Sequence, residues 1–238
     1  ILPTGAYTST QIIDALRSGL IYVGLESAQF PAGELRGAFL TATGSQTFTA
    51  PSAPPSVSVT NVTATDAARF LTQATFGAKQ SEIDALTGGN LNAWIDAQIA
   101  LANTSHRNAT VAERTAAIAI DNFDPTNNPY VFAFRQRAWF QIALTAPDQL
   151  RQRVAFALSQ ILVTSDVPFG NNMTEPLSRY YDLLATNAFG NFRTLLEQVT
   201  LSPVMGLYLS HLRNEKATAT TSPDENYARE VMQLFSIG

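Results

Sequence analysis

The stretch Tyr130-Val-Phe-Ala-Phe-Arg-Gln-Arg-Ala-Trp-Phe-Gln-Ile-Ala-Leu144, then Thr145-Ala-Pro-Asp148, then Gln149-Leu-Arg-Gln-Arg-Val-Ala-Phe-Ala-Leu-Ser-Gln-Ile-Leu-Val163, decides the fold. Its first part sets Tyr130, Phe132, Phe134, Trp139, Phe140, Ile142 and Leu144 around most of a helix, and a helix apolar nearly all round is expected to be buried. Its last part carries Leu150, Val154, Leu158 and Ile161 as a stripe at helical spacing. Thr145 and Asp148 stand at capping-box spacing, although Asp is shorter than the usual partner. So short a connection between two long helices predicts an antiparallel hairpin.

The helical period extends in both directions from this pair. Upstream it begins at Thr65, an N-cap candidate followed by Ala67, Phe70, Leu71 and Ala74, with Gly77 at the stop. A short helix at 80–87 ends on Gly88-Gly89. Asn90 caps a third, with Leu91, Trp94, Ile95 and Ile99 facing inward. The spacing predicts a helix over 111–120 and a loop over 121–129. Downstream, Thr174 opens a helix carrying Leu177, Tyr180, Tyr181, Leu184 and Ala188. Asn191 caps 192–200, and Ser202-Pro203 opens a short helix, since proline suits the first helical position. Ala217–Thr221 reads as a mobile loop. A final helix over 223–237 buries Tyr227, Val231, Leu234 and Phe235 on one face.

Before Thr65 the pattern differs. Residues 45–64 are rich in Ser, Thr and Pro and uncharged, which favours an extended linker. Ahead of it, a short helix is predicted at 11–17, then strands at 20–26 and 34–40 around the turn Pro31-Ala-Gly33. A lone hairpin is marginal in water, so residues 1–44 are read as the remnant of a larger β domain. The expected fold is mainly α: a multi-helix, antiparallel, bundle-like domain over 65–238, preceded by a short β-hairpin remnant of a β-sandwich. The chain opens at Ile1 and stops at Gly238 without a tail. It therefore reads as a fragment, with the remainder of its own chain as the expected partner.

Composition narrows the function classes. The net charge of −4 and a charged fraction of 14% argue against nucleic acid as a partner, because phosphate backbones are bound by clustered positive charge. The absence of Cys excludes disulfides, Cys-ligated zinc and thiol catalysis. No apolar run has the length of a membrane span. There is no His-x-x-x-His or Asp-x-Asp run, no phosphate loop, no dinucleotide fingerprint and no nucleophile elbow, so the sequence identifies neither a cofactor nor a metal and leaves both unknown.

Four stretches in order carry a family resemblance: Arg69-Phe-Leu-Thr-Gln-Ala-Thr-Phe-Gly77, Asp148-Gln-Leu-Arg-Gln-Arg-Val-Ala-Phe-Ala-Leu-Ser-Gln160, Gly190-Asn-Phe-Arg-Thr-Leu-Leu-Glu197 and Pro223-Asp-Glu-Asn-Tyr-Ala-Arg-Glu-Val-Met-Gln-Leu-Phe-Ser-Ile-Gly238. Residues 65–238 resemble the N-terminal half of the bacterial family catalogued as domain of unknown function 1800. Tyr22-Val-Gly-Leu-Glu-Ser27 with Phe30-Pro-Ala-Gly-Glu-Leu-Arg-Gly37 resembles the end of a CHRD (chordin-type) domain, an extracellular β-sandwich. The resemblance implies a helical protein, exported to the periplasm, cell envelope or medium, whose partners would be another exported protein or an envelope polymer. It implies no activity.

The expected function is accordingly an exported interaction or scaffold module at the cell envelope. The alternative is a hydrolase with a carboxylate acid/base on the 223–237 helix. There, Ser222-Pro-Asp-Glu225 reads as a capping box and Glu225–Arg229 as an i,i+4 pair, so Ser222, Glu225 and Arg229 form a structural network. Asn226 and Glu230 have no such explanation. They stand i,i+4 beside the apolar face, where an acid and an amide can hold a water, a metal or a substrate hydroxyl, or anchor a buried network. His211, after a helix end, completes the candidate catalytic set Glu230, Asn226 and His211. His106 reads as a loop residue. Arg135, Arg137, Arg151 and Arg153 cannot all share one patch, since the two on each helix point about 200° apart; two of them are expected to pair across the hairpin with acids such as Asp182, Glu197 or Glu230, the alternative being an anion site. A surface-binding module would instead expose aromatics, with Tyr208 and Trp139 as candidates.

Overall fold

A computed structural model describes residues 22–25, 35–38, 59–121, 132–167 and 173–236. The expected helix at 11–17, most of the 45–64 linker and the loop at 122–129 lie outside the described residues. The chain forms two compact units, Ile1–Ser56 and Val57–Gly238. In the first, strands β1 (Tyr22–Leu25) and β2 (Leu35–Ala38) pair antiparallel, Tyr22 opposite Ala38 and Leu25 opposite Leu35. Two strands of four residues do not support a β-sandwich remnant.

The second unit is mainly helical. Its described helices are α1 (Ala64–Ala74), α2 (Gln80–Leu86), α3 (Leu91–Ala100), α4 (His106–Asp121), α5 (Phe132–Thr145), α6 (Gln149–Ile161), α7 (Thr174–Thr186), α8 (Phe192–Thr200), α9 (Pro203–Tyr208) and α10 (Asn226–Met232). Thr63, not Thr65, caps α1: its hydroxyl accepts from the Asp66 N–H at 3.2 Å and donates to the Asp66 carboxylate at 2.6 Å. Val62, Ala67, Leu71 and Leu86 form a small core, with Phe70 and Trp94 edge to face at 5.1 Å beside it. Gly88 turns the chain between α2 and α3 at φ 76°, a left-handed conformation that costs glycine little, and its N–H reaches Val62 O at 2.8 Å. Asn90 caps α3 as expected, accepting from the N–H groups of Asn92 and Ala93. Yet no α3 residue is fully buried, and Ile99 is exposed; α3 lies chiefly along α6, with Leu91 and Trp94 against the small core.

The central pair departs from its expected packing. Helix α5 lies chiefly against α4, and α6 chiefly against α7. One line of α5, Phe134, Ala138 and Ile142, is therefore buried, while Phe140 and Leu144 are 61% and 65% exposed. The buried line of α6 is not its Leu/Val stripe. It runs Asp148, Gln152, Ala155 and Leu162, and Ile161 faces out. The main core gathers Leu177, Tyr180 and Leu184 of α7 with Leu195 and Val199 of α8, Met205 of α9, and Tyr227 and Phe235 around α10.

Leu184 sits fully buried at the centre of this core. Leu184→Ala is expected to lower unfolding stability by about 2–5 kcal/mol, the usual cost of an unfilled core cavity. Leu144→Ala, at an exposed site, should stay within about 0.5 kcal/mol of the parent; denaturant unfolding measures both.

Candidate functional site

Helices α4, α5 and α7 and the α8–α9 junction enclose a cavity of about 790 Å³. On α7, Glu175, Arg179 and Leu183 recur every four residues and so share one face. Thr110, Val111 and Arg114 supply the α4 wall. The buried part of the lining is Thr110, Phe134, Thr174, Tyr180 and Val204, whereas Arg179, Gln198 and Leu201 are exposed at the mouth. The cavity thus has a mostly apolar floor and a polar rim. Tyr180 turns its hydroxyl away, donating to Leu162 O at 2.9 Å, and burial holds its phenol pKa well above the ordinary value.

The rim carries excess positive charge. Glu175 Oε1 takes both Nε and Nη2 of Arg107 at 2.7 Å, while its Oε2 lies 3.8 Å from Arg114 Nη1, too far for a hydrogen bond. Arg179 has no ion pair or hydrogen bond among the described residues. Arg107, which lies outside the lining, and Arg114 therefore share one carboxylate, while Arg179 stands exposed at the mouth.

A buried polar network fixes the α4 wall. Asp182 of α7 reaches the start of α4 and accepts from the N–H groups of His106 (2.6 Å) and Arg107 (3.1 Å) and from the Ser105 hydroxyl (2.7 Å). A carboxylate there satisfies orphan N–H groups and suits the helix dipole. Asp148, fully buried, accepts from the Thr104 N–H (3.0 Å), the Thr104 hydroxyl (2.5 Å) and the Gln152 amide (2.9 Å). Because Gln152 Nε2 is turned to Asp148 and to Thr104 O, its Oε1 faces His106 Nε2 at 2.7 Å, so that nitrogen carries the proton. His106 is buried at the first turn of α4, not in a loop, and packs on the Tyr181 ring at 4.3 Å. Burial lowers its pKa, against Gln152, Asp182 and Asp148, which raise it. Farther along α4, Ser178 donates to Thr174 O, so the Thr110 hydroxyl donates to Ser178 at 2.8 Å.

The arginines of the central pair do not meet their expected partners. Arg135 pairs with Asp166 at 2.6 Å. Arg151 spends its Nη groups on Ile99 O, Leu101 O and Ala185 O, at the C-terminal ends of α3 and α7, where cations suit the dipole. Arg137 and Arg153 lie over the rings of Phe134 and Phe76. Nor does Asp148 act as a capping-box partner; Gln98 of α3 takes that place, accepting from the Leu150 N–H at 3.1 Å.

The candidate set lies apart from the cavity lining. Helix α10 starts at Asn226, so the Ser222 capping box does not form. Asp224 instead accepts from the Asn226 N–H at 2.9 Å, and Glu225 pairs with Arg229 at 2.6 Å. Asn226 is exposed, its amide 3.4 Å from Asp224. His211 follows a left-handed Ser210, donates from Nε2 to Thr200 O at 3.0 Å and stacks on Tyr227 at 4.1 Å. Tyr227 also meets the Thr200 hydroxyl at 2.5 Å, and burial raises its pKa. His211 Nδ1 and Glu230 Oε2 are both buried without a hydrogen-bond partner. The loop expected to be mobile is closed on itself, Thr218 N–H reaching Thr221 O at 2.9 Å. Trp139 and Tyr208 are both half-buried. Among the described residues no group of three or more His, Asp or Glu is placed to hold a metal ion, and no helix is long and apolar enough to cross a membrane.

The lowered pKa of His106 sets a direction for stability. Below the ordinary value of 6.5 the unfolded chain takes up a proton that the folded chain refuses, so stability is full above that pH and falls as pH drops through the window beneath it. His106→Gln should flatten the slope of unfolding free energy between pH 6.5 and about 5, read by urea titration; an unchanged slope would count against a neutral buried imidazole. Asp148→Ala strands the Thr104 and Gln152 donors and should cost about 1–3 kcal/mol for each stranded group, whereas Glu225→Ala, in an exposed pair, should cost far less.

No curated protein and no solved structure matches the chain. Residues 69–238 match the family model described as "Protein of unknown function (DUF1800)", a span that takes in all four of the motifs at 69–77, 148–160, 190–197 and 223–238, and the chain belongs to that family.

Proposed function

We propose that the chain is an exported bacterial binding module that acts at the cell envelope by holding a ligand rather than transforming it. The lining of the cavity supports this reading. Acid–base work needs a group free to give or take a proton at the reacting atom, and nucleophilic work needs a base beside the nucleophile. Among the described lining residues there is no His, and the one carboxylate, Glu175, is tied to Arg107. What is left is shape, apolar surface and positive charge, the makings of a ligand pocket of ordinary size. The export, the envelope location and the chordin-type character of the leading hairpin rest on the motif resemblances at 22–37 and 65–238.

A hydrolase using Glu230, with Asn226 and His211 assisting, is the second reading. It is favoured by the unpartnered, buried Glu230 Oε2 and His211 Nδ1, since a buried polar atom without a partner is rare enough to need a reason. Glu230 lies on α10 and His211 stacks on Tyr227 from the segment after α9, and neither is in the cavity lining.

Anilinonaphthalene sulfonate fluorescence separates the two. The dye should bind the native chain, Val111→Trp should remove that binding by filling the α4 side of the cavity, and Glu230→Gln should leave it intact. Dye binding indifferent to Val111→Trp would sink the binding reading, as would turnover of an ester or glycoside that Glu230→Gln abolishes without unfolding the chain.

A further inference from the structure

The cavity's own chemistry narrows its ligand. We infer that it takes a small amphiphile with one anionic headgroup, a phosphate or a carboxylate, held by Arg179 and Arg114 while the apolar body lies against Phe134, Tyr180 and Val204. The inference rests on the binding reading above and adds the ligand class.

The charge argument is local. The whole chain carries a net charge of −4, yet the described lining holds Arg114 and Arg179 against one acid, Glu175. Glu175 is committed to Arg107 through two contacts of 2.7 Å to one oxygen, and its other oxygen stands 3.8 Å from Arg114. Arg114 is therefore only loosely paired, and Arg179 has no anion among the described residues. A guanidinium presents a planar fork of donors that matches a carboxylate or phosphate.

The floor excludes two other ligand classes. The Thr110 hydroxyl is already given to Ser178, and the Tyr180 hydroxyl is given to Leu162 O. A sugar bearing many hydroxyls would find few partners there, and desolvated hydroxyls without partners are costly. A purely apolar ligand would leave Arg179 and Arg114 as they are and gain nothing from them. A volume of about 790 Å³ accommodates an apolar body as well as a headgroup. The walls are held by Thr110–Ser178 and by the Asp182 cap of α4, so little ordering is needed on binding.

Titration calorimetry on the 1–238 chain tests this with dodecyl phosphate, dodecanoate, neutral dodecyl maltoside and inorganic phosphate, each below its micelle-forming concentration. One equivalent of dodecyl phosphate or dodecanoate should bind, and the difference between them identifies the preferred headgroup. The neutral detergent and inorganic phosphate should bind at least about tenfold more weakly, given the strength of charged hydrogen bonds. Arg179→Gln and Arg114→Gln should each weaken the anionic probe by about tenfold, and Arg193→Gln, outside the cavity, should not. Equal affinity for the neutral detergent, or indifference to both cavity arginines, overturns the ligand class and leaves the binding reading standing. Silence from all four probes while the dye still binds in a Val111-dependent way overturns this inference alone; loss of that dye dependence overturns both.

Discussion

A carboxylate sealed from water must find its solvation in the protein, and Asp148 finds it in the Thr104 backbone, the Thr104 hydroxyl and the Gln152 amide. An ionised group left without such donors would cost several kcal/mol, of the order that decides whether a domain folds. The arrangement therefore pins the α3–α4 connection to α6 wherever the fold exists. Gln152 carries the constraint onward to His106, and His106 begins α4. Asp182 closes the same helix end from α7. Helices that are distant in sequence are thus joined through polar groups with little tolerance for displacement.

That rigidity matters because α4 and α7 are also walls of the cavity. Their separation is set at one end by Asp182 on the first N–H groups of α4 and farther along by the Thr110–Ser178 bond. A pocket whose walls are already fixed loses little freedom when a ligand enters. The same network also consumes the residues that would otherwise look reactive. His106, Asp148 and Asp182 are an imidazole and two carboxylates, and each hydrogen-bonded oxygen or nitrogen among them serves packing. Among the described residues, Arg179 at the rim is not consumed in this way.

Much of the fold was legible in the sequence because its signals are local. Asn90 and Asn191 were recognisable as caps, and each accepts the expected N–H groups. Leu177, Tyr180 and Leu184 were readable as one face of α7. The misreading of the buried face of α6 has one cause: its polar residues read as facing water. Asp148 and Gln152 lie in phase with Ala155 and Leu162, so the buried face of α6 starts with two polar groups, which a hydrophobicity pattern assigns outward. Asn103-Thr104-Ser105 before His106 is a run of cap-type residues and could have placed the start of α4 there. The cavity had no such signal. Its walls come from residues spread over 110–204, and only tertiary packing brings Arg114 and Arg179 to one opening.

The division of labour between the two ends of the helical unit follows from these same facts. Glu230 on α10 and His211 in the Tyr227 stack each hold one buried polar atom without a partner, but Asn226 is exposed and turned to Asp224. None of the three lines the cavity. At the cavity the position is reversed: the volume is present, the acid–base groups are committed or absent, and what remains is cationic. Catalysis requires both in one place, whereas binding requires only the second. In a chain of acidic composition, a positive rim around an apolar hollow draws an anionic ligand against the sign of the whole protein, so its selectivity comes from short-range contacts within a few ångströms and not from long-range steering.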